Sequence, residues 1–529
     1  MLARILPTRA LFAPARFAPR AAFSKVRFAH AHASSPAAGQ ATLTIAGQTA
    51  LAIQKMTMDE WSQAFNKATV DLAAMDINSI SYLESAKRMR TLLQTGLLRH
   101  TDLNDNPERF FLAHRLLARH APVLGPGFWI RFTVHYNLCA GTVLGLGNDE
   151  QIKLLDQWQD EGLLGCFSLT EKLAGVNSGL VVNTQAHWDS ATETFNLHSP
   201  NLGAYKNWIS QGLVADKTVC VADLFIKGKS YGPHAFMMNL RDSGKPVPGV
   251  QFEDMGKKTV GNDLDNASIG FQNVTLPKDA LLNRYADIEG DEYVQKIKGM
   301  PVFHLIGQRL FTGRVAVAQA ALEFRRGLFE STKKYTDKKP CWAPSGEPML
   351  SNIPQLKAIF LENEKKMEFL DAFVGKCEKE LAQTLRDNTM PDVSLVEAIA
   401  VAKVKAVDES IEITHRLQNE VGSYALMAGT GFEQKDFLTC CKFAEGDSRI
   451  LMQKMSRDRM RVFEKKQAST DPATWDAETV LCSEVSTKIA ADAKASGDKQ
   501  QAWDDNWQAI YALSEVIMQN TIKSYMAKY

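Results

Sequence analysis

The segment CCKFAEGDSRILMQKM holds one carboxylate, Glu445, between an apolar approach (Phe443, Ala444) and Gly446, Asp447 and Ser448, which lead into an apolar helical run. A carboxylate in that setting suits general-base chemistry, because a water-poor pocket raises its pKa towards neutrality, where it can take a proton from a weak carbon acid. The same residues fit a plainer role: a first-turn glutamate favoured by the helix dipole, with Asp447 or Ser448 as the cap. Eight scattered cysteines form no CxxC pair and read as reduced structural thiols. Adjacent Cys440 and Cys441 are poorly placed to share a metal, and none is expected. The GLG at 145–147 lacks the third glycine of a dinucleotide fingerprint.

Three kinds of element must position Glu445. Thr57 and Glu60 form a capping-box pattern ahead of Trp61, Phe65, Ala68 and Leu72 at helical spacing, and helical signals continue to about residue 160 with a break at Pro122 and Gly125-Pro126-Gly127. From about 161 to 285 the runs are short, alternating or β-branched (LVVNTQAHWD, TVCVADLFIKG, HAFMMNLRD) and separated by turn residues, which predicts a compact β domain. Beyond about 300, three long amphipathic helical runs follow, with KKYTDKKPCWAPSGEPMLSNIP as a loop between the first two. Trp503, Trp507, Ile510 and Ile517 predict a terminal docking helix. The expected class is α+β: an N-terminal helical domain (55–160), a small barrel-like β domain (161–290) and a C-terminal helical bundle (300–465) with a helical tail (470–529).

In this order of parts, GCFSLTE (165–171), YGPHAFMMNLRD (231–242), PVPGVQFEDMGKKTVGNDLDN (246–266), FTVHYNLCAGTVLGLGNDEQ (132–151) and FAEGDSRILMQ resemble the flavin-containing acyl-CoA dehydrogenase and acyl-CoA oxidase superfamily. The likeness covers roughly residues 105–465, and the middle is nearer the oxidases. It implies FAD between the β domain and the C-terminal helices, an acyl-CoA thioester stacked on the flavin, and Glu445 as the base at the α-carbon. Hydride loss from the β-carbon then leaves a trans-2-enoyl-CoA. By the same resemblance, Thr170, Trp208, Ile209, Ser210, Gln355, Gly422 and Asp447 contact FAD, and Arg309 lies near the CoA moiety. For Thr170, Trp208, Arg309 and Gln355 the plainer readings are a strand threonine, a core tryptophan, a solvated arginine and a surface glutamine. NEVGSYALMAGTG keeps Gly422 but not the family's paired glycines, Lys333 and Lys334 stand where relatives place an interface arginine, and Asn177 and Ser178 occupy the loop that carries a small polar residue for CoA.

The 529 residues are 45% hydrophobic and 23% charged, with a formal net charge of +1, enough chain for several packed layers. The first 32 residues hold five arginines, Lys25 and no acid, so the remainder is slightly acidic and shows no footprint for nucleic acid. This leader (1–32), followed by a linker (33–54), is expected to be a mitochondrial transit peptide, placing the protein in the matrix. No apolar run spans a membrane, and SYMAKY is not a Ser-Lys-Leu address. The resemblance implies a homodimer or homotetramer and either O₂ or an electron-transfer flavoprotein as acceptor. A mitochondrial dehydrogenase, a catalytically silent assembly subunit, and a nitroalkane oxidase or N-hydroxylating monooxygenase of the same fold stand as alternatives.

Overall fold

A computed structural model describes residues 50–529 apart from 76–80, 177, 180, 298–307, 345, 467–471 and 528–529. The leader therefore lies outside the described residues. The capping box forms as the sequence predicts: Thr57 accepts from the Glu60 N–H, and Glu60 reaches back to the Thr57 N–H at the start of α1 (Met58–Ala74). Trp61, Phe65, Ala68 and Leu72 form the buried stripe of α1, and the Trp61 indole N–H donates to the Leu97 carbonyl at 2.6 Å. Helices α2 (Tyr82–Gln94), α3 (Pro107–Arg119) and α4 (Asp149–Asp160) complete the N-terminal layer. Between α3 and α4 the chain turns at Gly125 and re-enters a helical run, Phe128–Leu146, whose middle, Val134–Ala140, is a π-helix.

The central sheet is built from β1 (Gly165–Ser168), β2 (Gln185–Asp189), β3 (Thr194–His198), β5 (Lys217–Ile226), β6 (Lys229–Asn239) and β9 (Val274–Pro277); β4 (Lys206–Ser210), β7 (Val250–Asp254) and β8 (Asn266–Phe271) form a second sheet in the order β4-β8-β7. Strand β5 pairs antiparallel with β6 along one edge and, along the other, parallel with β1 and then β2. Its sequence KTVCVADLFI reads as a nearly continuous apolar run because both faces are covered. Val219 and Val221 join the helical core, while Cys220, Ala222 and Leu224 join the β core.

Three long helices follow: α5 (Gln308–Thr336), α6 (Pro354–Arg386) and α7 (Val393–Val421). Helix α5 runs through the KKYT expected to be loop, because Thr336 is buried and Tyr335 stacks on Tyr424 at 3.7 Å. Then come α8 (Asp436–Phe443), α9 (Ser448–Lys466), α10 (Ala477–Ser496) and α11 (Trp507–Ala527). Ile510 and Ile517 are buried in the bundle, whereas Trp507 is half exposed and Trp503 belongs to a separate short helix, Lys499–Asp505. The architecture is the α+β class expected from the sequence. Among the described residues, no helix is long and apolar enough to cross a membrane.

Candidate active site

Glu445 stands at a chain reversal between α8 and α9. Ala444 is extended, and Glu445 (φ 56°) and Gly446 (φ 92°) are both left-handed. Glycine adopts that geometry freely, but a glutamate there costs about 1–3 kcal/mol and persists only where its surroundings dictate it. They do so here. The Arg314 guanidinium, on α5, donates to the Glu445 carbonyl at 3.1 Å. The Lys403 ammonium, on α7, donates to the Lys442 carbonyl (2.7 Å), the Gly446 carbonyl (2.9 Å) and the Ser448 hydroxyl (3.0 Å). Asp447 caps α9, its Oδ1 accepting from the Arg449 N–H at 2.8 Å, which fulfils the plainer reading of that residue.

The reversal drives the Glu445 carboxylate against α5, where residue 313 is glycine. A Cβ at Gly313 would lie 2.3 Å from both Cδ and Oε2 of Glu445. Glu445 as a whole is half-buried, yet its Oε2 is buried and has no hydrogen-bond partner among the described residues. Burial lifts its pKa to about 7, against the opposing pull of Arg314 and then Lys403. Burial also lowers Arg314 to about 10 and Lys403 to about 8. The outcome is a carboxyl group that titrates at neutrality with one oxygen free to accept a proton.

The β domain contributes a second group of residues. The Asn207 N–H donates to the Thr170 carbonyl at 2.8 Å, so Thr170 and Trp208 lie on adjoining segments, and both are exposed. Trp208 is 57% exposed in a left-handed conformation (φ 58°), an uncommon way to hold a large indole at a strand surface. Beneath them Lys206 and Glu171 form a fully buried pair at 2.8 Å. Burial alone would raise Glu171, but Lys206 and the Thr184 and Asn183 N–H groups together hold it below its usual range. Ile209 turns into the β core, and the Ser210 hydroxyl accepts from Asn266 at 3.3 Å, so neither side chain shares the exposure of Trp208. The loop after β7 connects both groups. The Trp208 N–H donates to Met255 Sδ at 3.2 Å, and Lys258 is near enough to Cys440 on α8 to interact with it electrostatically.

The other expected site residues are more scattered. Gln355 is exposed in the first turn of α6, and Gly422 (φ 72°) ends α7 at the surface. Arg309 is the second residue of α5, its side chain outside the described residues. Lys333 is engaged by Asp337 at 2.8 Å; Ser178 closes a turn on Gly175, and Asn177 lies outside the described residues. Gly313, Arg314 and Lys403 were not anticipated. Only Lys403 carried a local signal, as a charge on the apolar stripe of AIAVAKVKAV.

No protein-family model matches the chain. It is 27% identical over 395 residues to the peroxisomal acyl-coenzyme A oxidase 2 of Arabidopsis thaliana (70% of this chain, 55% of that protein) and 28% identical over 347 residues to the peroxisomal acyl-coenzyme A oxidase 3 of Homo sapiens (62% and 49%). The chain thus spans about half the length of these relatives. Its fold matches that of Caenorhabditis elegans acyl-CoA oxidase-2, solved with FAD, ascaroside-CoA and ATP, with a TM-score of 0.72 at 19% identity over 89% of this chain and 76% of that one. These likenesses in sequence and in fold support the resemblance to the acyl-CoA dehydrogenase and acyl-CoA oxidase superfamily that the motifs carry. The expected mitochondrial matrix location is corrected: both relatives are peroxisomal, and the transit-peptide reading gains no support from them. An arginine-rich, acid-poor leader specifies a charge, and a basic arm of another purpose carries the same charge.

Proposed function

We propose that the chain is an FAD-dependent acyl-CoA oxidoreductase of the oxidase type, which desaturates an acyl-CoA thioester between Cα and Cβ. The observation that carries this reading is the Glu445 carboxyl: buried, unpartnered at Oε2 among the described residues and poised at about pH 7. A base is most effective when its pKa lies near the working pH, since it is then substantially ionised yet still basic. The α-proton moves to Glu445 Oε2, while Gly313 leaves room for that oxygen and the cationic Arg314 and Lys403 keep its pKa from rising further.

The residues of the β domain fit a flavin. Thr170 and Trp208 offer an exposed polar and aromatic edge of the kind a planar ring system requires, stiffened from below by the Lys206–Glu171 pair. FAD, when bound there, supplies the acceptor for the hydride leaving Cβ. Gln355, Gly422 and Asp447 are proposed FAD contacts, and Arg309 a CoA contact, on the resemblance alone. Ile209 and Ser210 would contribute through strand backbone rather than through their side chains.

O₂ is the proposed final acceptor, because the relatives are named oxidases. A homodimer or homotetramer is proposed too, supported by the exposed Trp342, Leu426 and Met427. The peroxisome is the compartment to test. The decisive experiment is to purify the full chain and challenge it with a chain-length series of acyl-CoAs with and without air. Bound yellow flavin, substrate bleaching under anaerobiosis and H₂O₂ formation at a comparable rate are expected. A flavin-free protein would favour a silent relative, and reduced enzyme that persists for minutes in air yet is reoxidised promptly by an electron-transfer flavoprotein would replace oxidase with dehydrogenase.

A further inference from the structure

We infer that Lys403 is a positioning residue for the base: its ammonium fastens both ends of the Glu445 reversal to α7 and so holds the carboxylate against Gly313. The inference rests on the proposed role of Glu445. Lys403 lies in the middle of a 29-residue helix, and its side chain is fully buried. An ammonium withdrawn from water is destabilising unless its donors are satisfied, and an apolar residue of similar size would pack such a position at least as well. The acceptors at Lys403 are two carbonyls and a hydroxyl rather than a carboxylate, and they bracket the base: Lys442 precedes it, and Gly446 and Ser448 follow. Nothing in the helix itself calls for those bonds. They serve a segment whose backbone is otherwise unfavourable at Glu445.

Arg314 holds the Glu445 carbonyl from α5, so the reversal is fixed from two helices at once. The titratable and charged groups around Lys403 are Arg314 from α5, the Cys440 and Cys441 thiols from α8, both kept neutral by burial, Glu445 and Asp447 from the reversal, and Asp408 further along α7. Asp408 is also engaged by Lys442 at 2.7 Å. Lys403 therefore acts on Glu445 in two ways, by fixing the backbone and by favouring the ionised carboxylate, and the two can be separated.

Lys403→Met keeps most of the length but removes charge and donors, whereas Lys403→Gln keeps a donor without the charge. Thioester-driven flavin reduction without air is measured across pH for both variants, together with thioester affinity, flavin content, melting temperature and amide hydrogen exchange of residues 444–448. Charged hydrogen bonds have a worth that corresponds to a loss of about 10- to 100-fold in reduction rate for Lys403→Met. Thioester affinity should change far less than the rate, exchange should be faster at 444–448, and the acid limb should move to higher pH because a cation near the carboxylate is gone. Lys403→Gln should recover part of the rate while keeping the shifted limb. Should either variant fold poorly, Ser448→Ala removes one acceptor without stranding a charge and should give a smaller rate loss and faster exchange at 444–448.

Wild-type rates with an unmoved acid limb and unchanged exchange would overturn the inference. So would a rate loss that merely follows the folded fraction while the limb stays in place. Glu445→Gln, measured in parallel, keeps the two readings apart: if it reduces flavin normally, the proposed function fails, and if it is inactive while Lys403→Met is normal, only the role of Lys403 fails.

Discussion

Gly313→Ala isolates the positioning of the base from the stability of the fold. The new Cβ would sit 2.3 Å from Glu445 Cδ and Oε2 and 2.8 Å from Cγ. Ordinary carbon contacts begin near 3.4 Å, so the carboxylate must retreat by about 1 Å. The atoms it meets are the end of a flexible side chain, which can swing aside, while helix α5 gains roughly 0.5–1 kcal/mol from alanine in place of glycine. Melting temperature should therefore hold or rise slightly. A misplacement of about 1 Å costs on the order of 10²-fold in rate, and that is the loss expected in anaerobic flavin reduction by an acyl-CoA. Gly327, on the same helix, is the control: a Cβ there meets nothing within 4 Å, so Gly327→Ala should share the helix gain and keep full activity. A Gly313→Ala enzyme with the wild-type reduction rate would refute the claim that the carboxylate works where it stands against α5.

Glu171→Gln leaves Lys206 buried without its counter-charge and should destabilise the fold by about 3–5 kcal/mol in denaturant melts, whereas replacing both partners with apolar residues should cost much less; equal losses would show that the pair is not coupled. Trp208→Ala removes an indole that is already 57% exposed, so the melting temperature of the flavin-free protein should barely move while flavin affinity falls, and unchanged affinity would take Trp208 out of the cofactor site. His100 and His114 are held at about pH 4 and His135 at about 3, each chiefly by burial, so the unfolded chain takes up their protons first and stability falls as pH drops below 6.5. Burial raises Glu445 to about 7 and Asp263 to about 6, and these work the other way, adding stability as pH falls through their folded values. Each histidine loses about 1 kcal/mol between pH 7 and 5.5 against a combined gain of about 2, leaving a net loss of roughly 1 kcal/mol; a melt that rises on acidification over that range would contradict buried neutral imidazoles.

What the sequence revealed follows from how local each signal is. The start of α1 was legible because Thr57 and Glu60 satisfy one another across three residues, and β2 and β3 because one face of each packs inward and gives the alternation a partner. Glu445 stood out as a carboxylate among apolar neighbours, which is also why it is desolvated. The residues that make it useful did not stand out: Arg314 reaches Glu445 from 131 residues away and Lys403 reaches Gly446 from 43, by contacts that exist only once α5, α7 and the reversal are packed. Gly313 resembles any helix glycine until the carboxylate is placed beside it. Tyr335 ended up in a helix for the same reason, since the ring that stacks on it belongs to Tyr424. The leader misled in a different way, because composition records charge, and many segments share a charge without sharing a destination.

The central claim is that Glu445 removes the α-proton, and the pH dependence of anaerobic flavin reduction by an acyl-CoA, wild type beside Glu445→Gln, tests it most directly. The second-order rate constant for reduction of the wild type should rise with pH through about 7, the point at which burial leaves the carboxyl half ionised. Glu445→Gln should bind flavin and thioester normally and reduce flavin about 10²- to 10⁴-fold more slowly, with that limb gone. A limb near the ordinary carboxylate range, or near-normal bleaching of the flavin in Glu445→Gln, would contradict it.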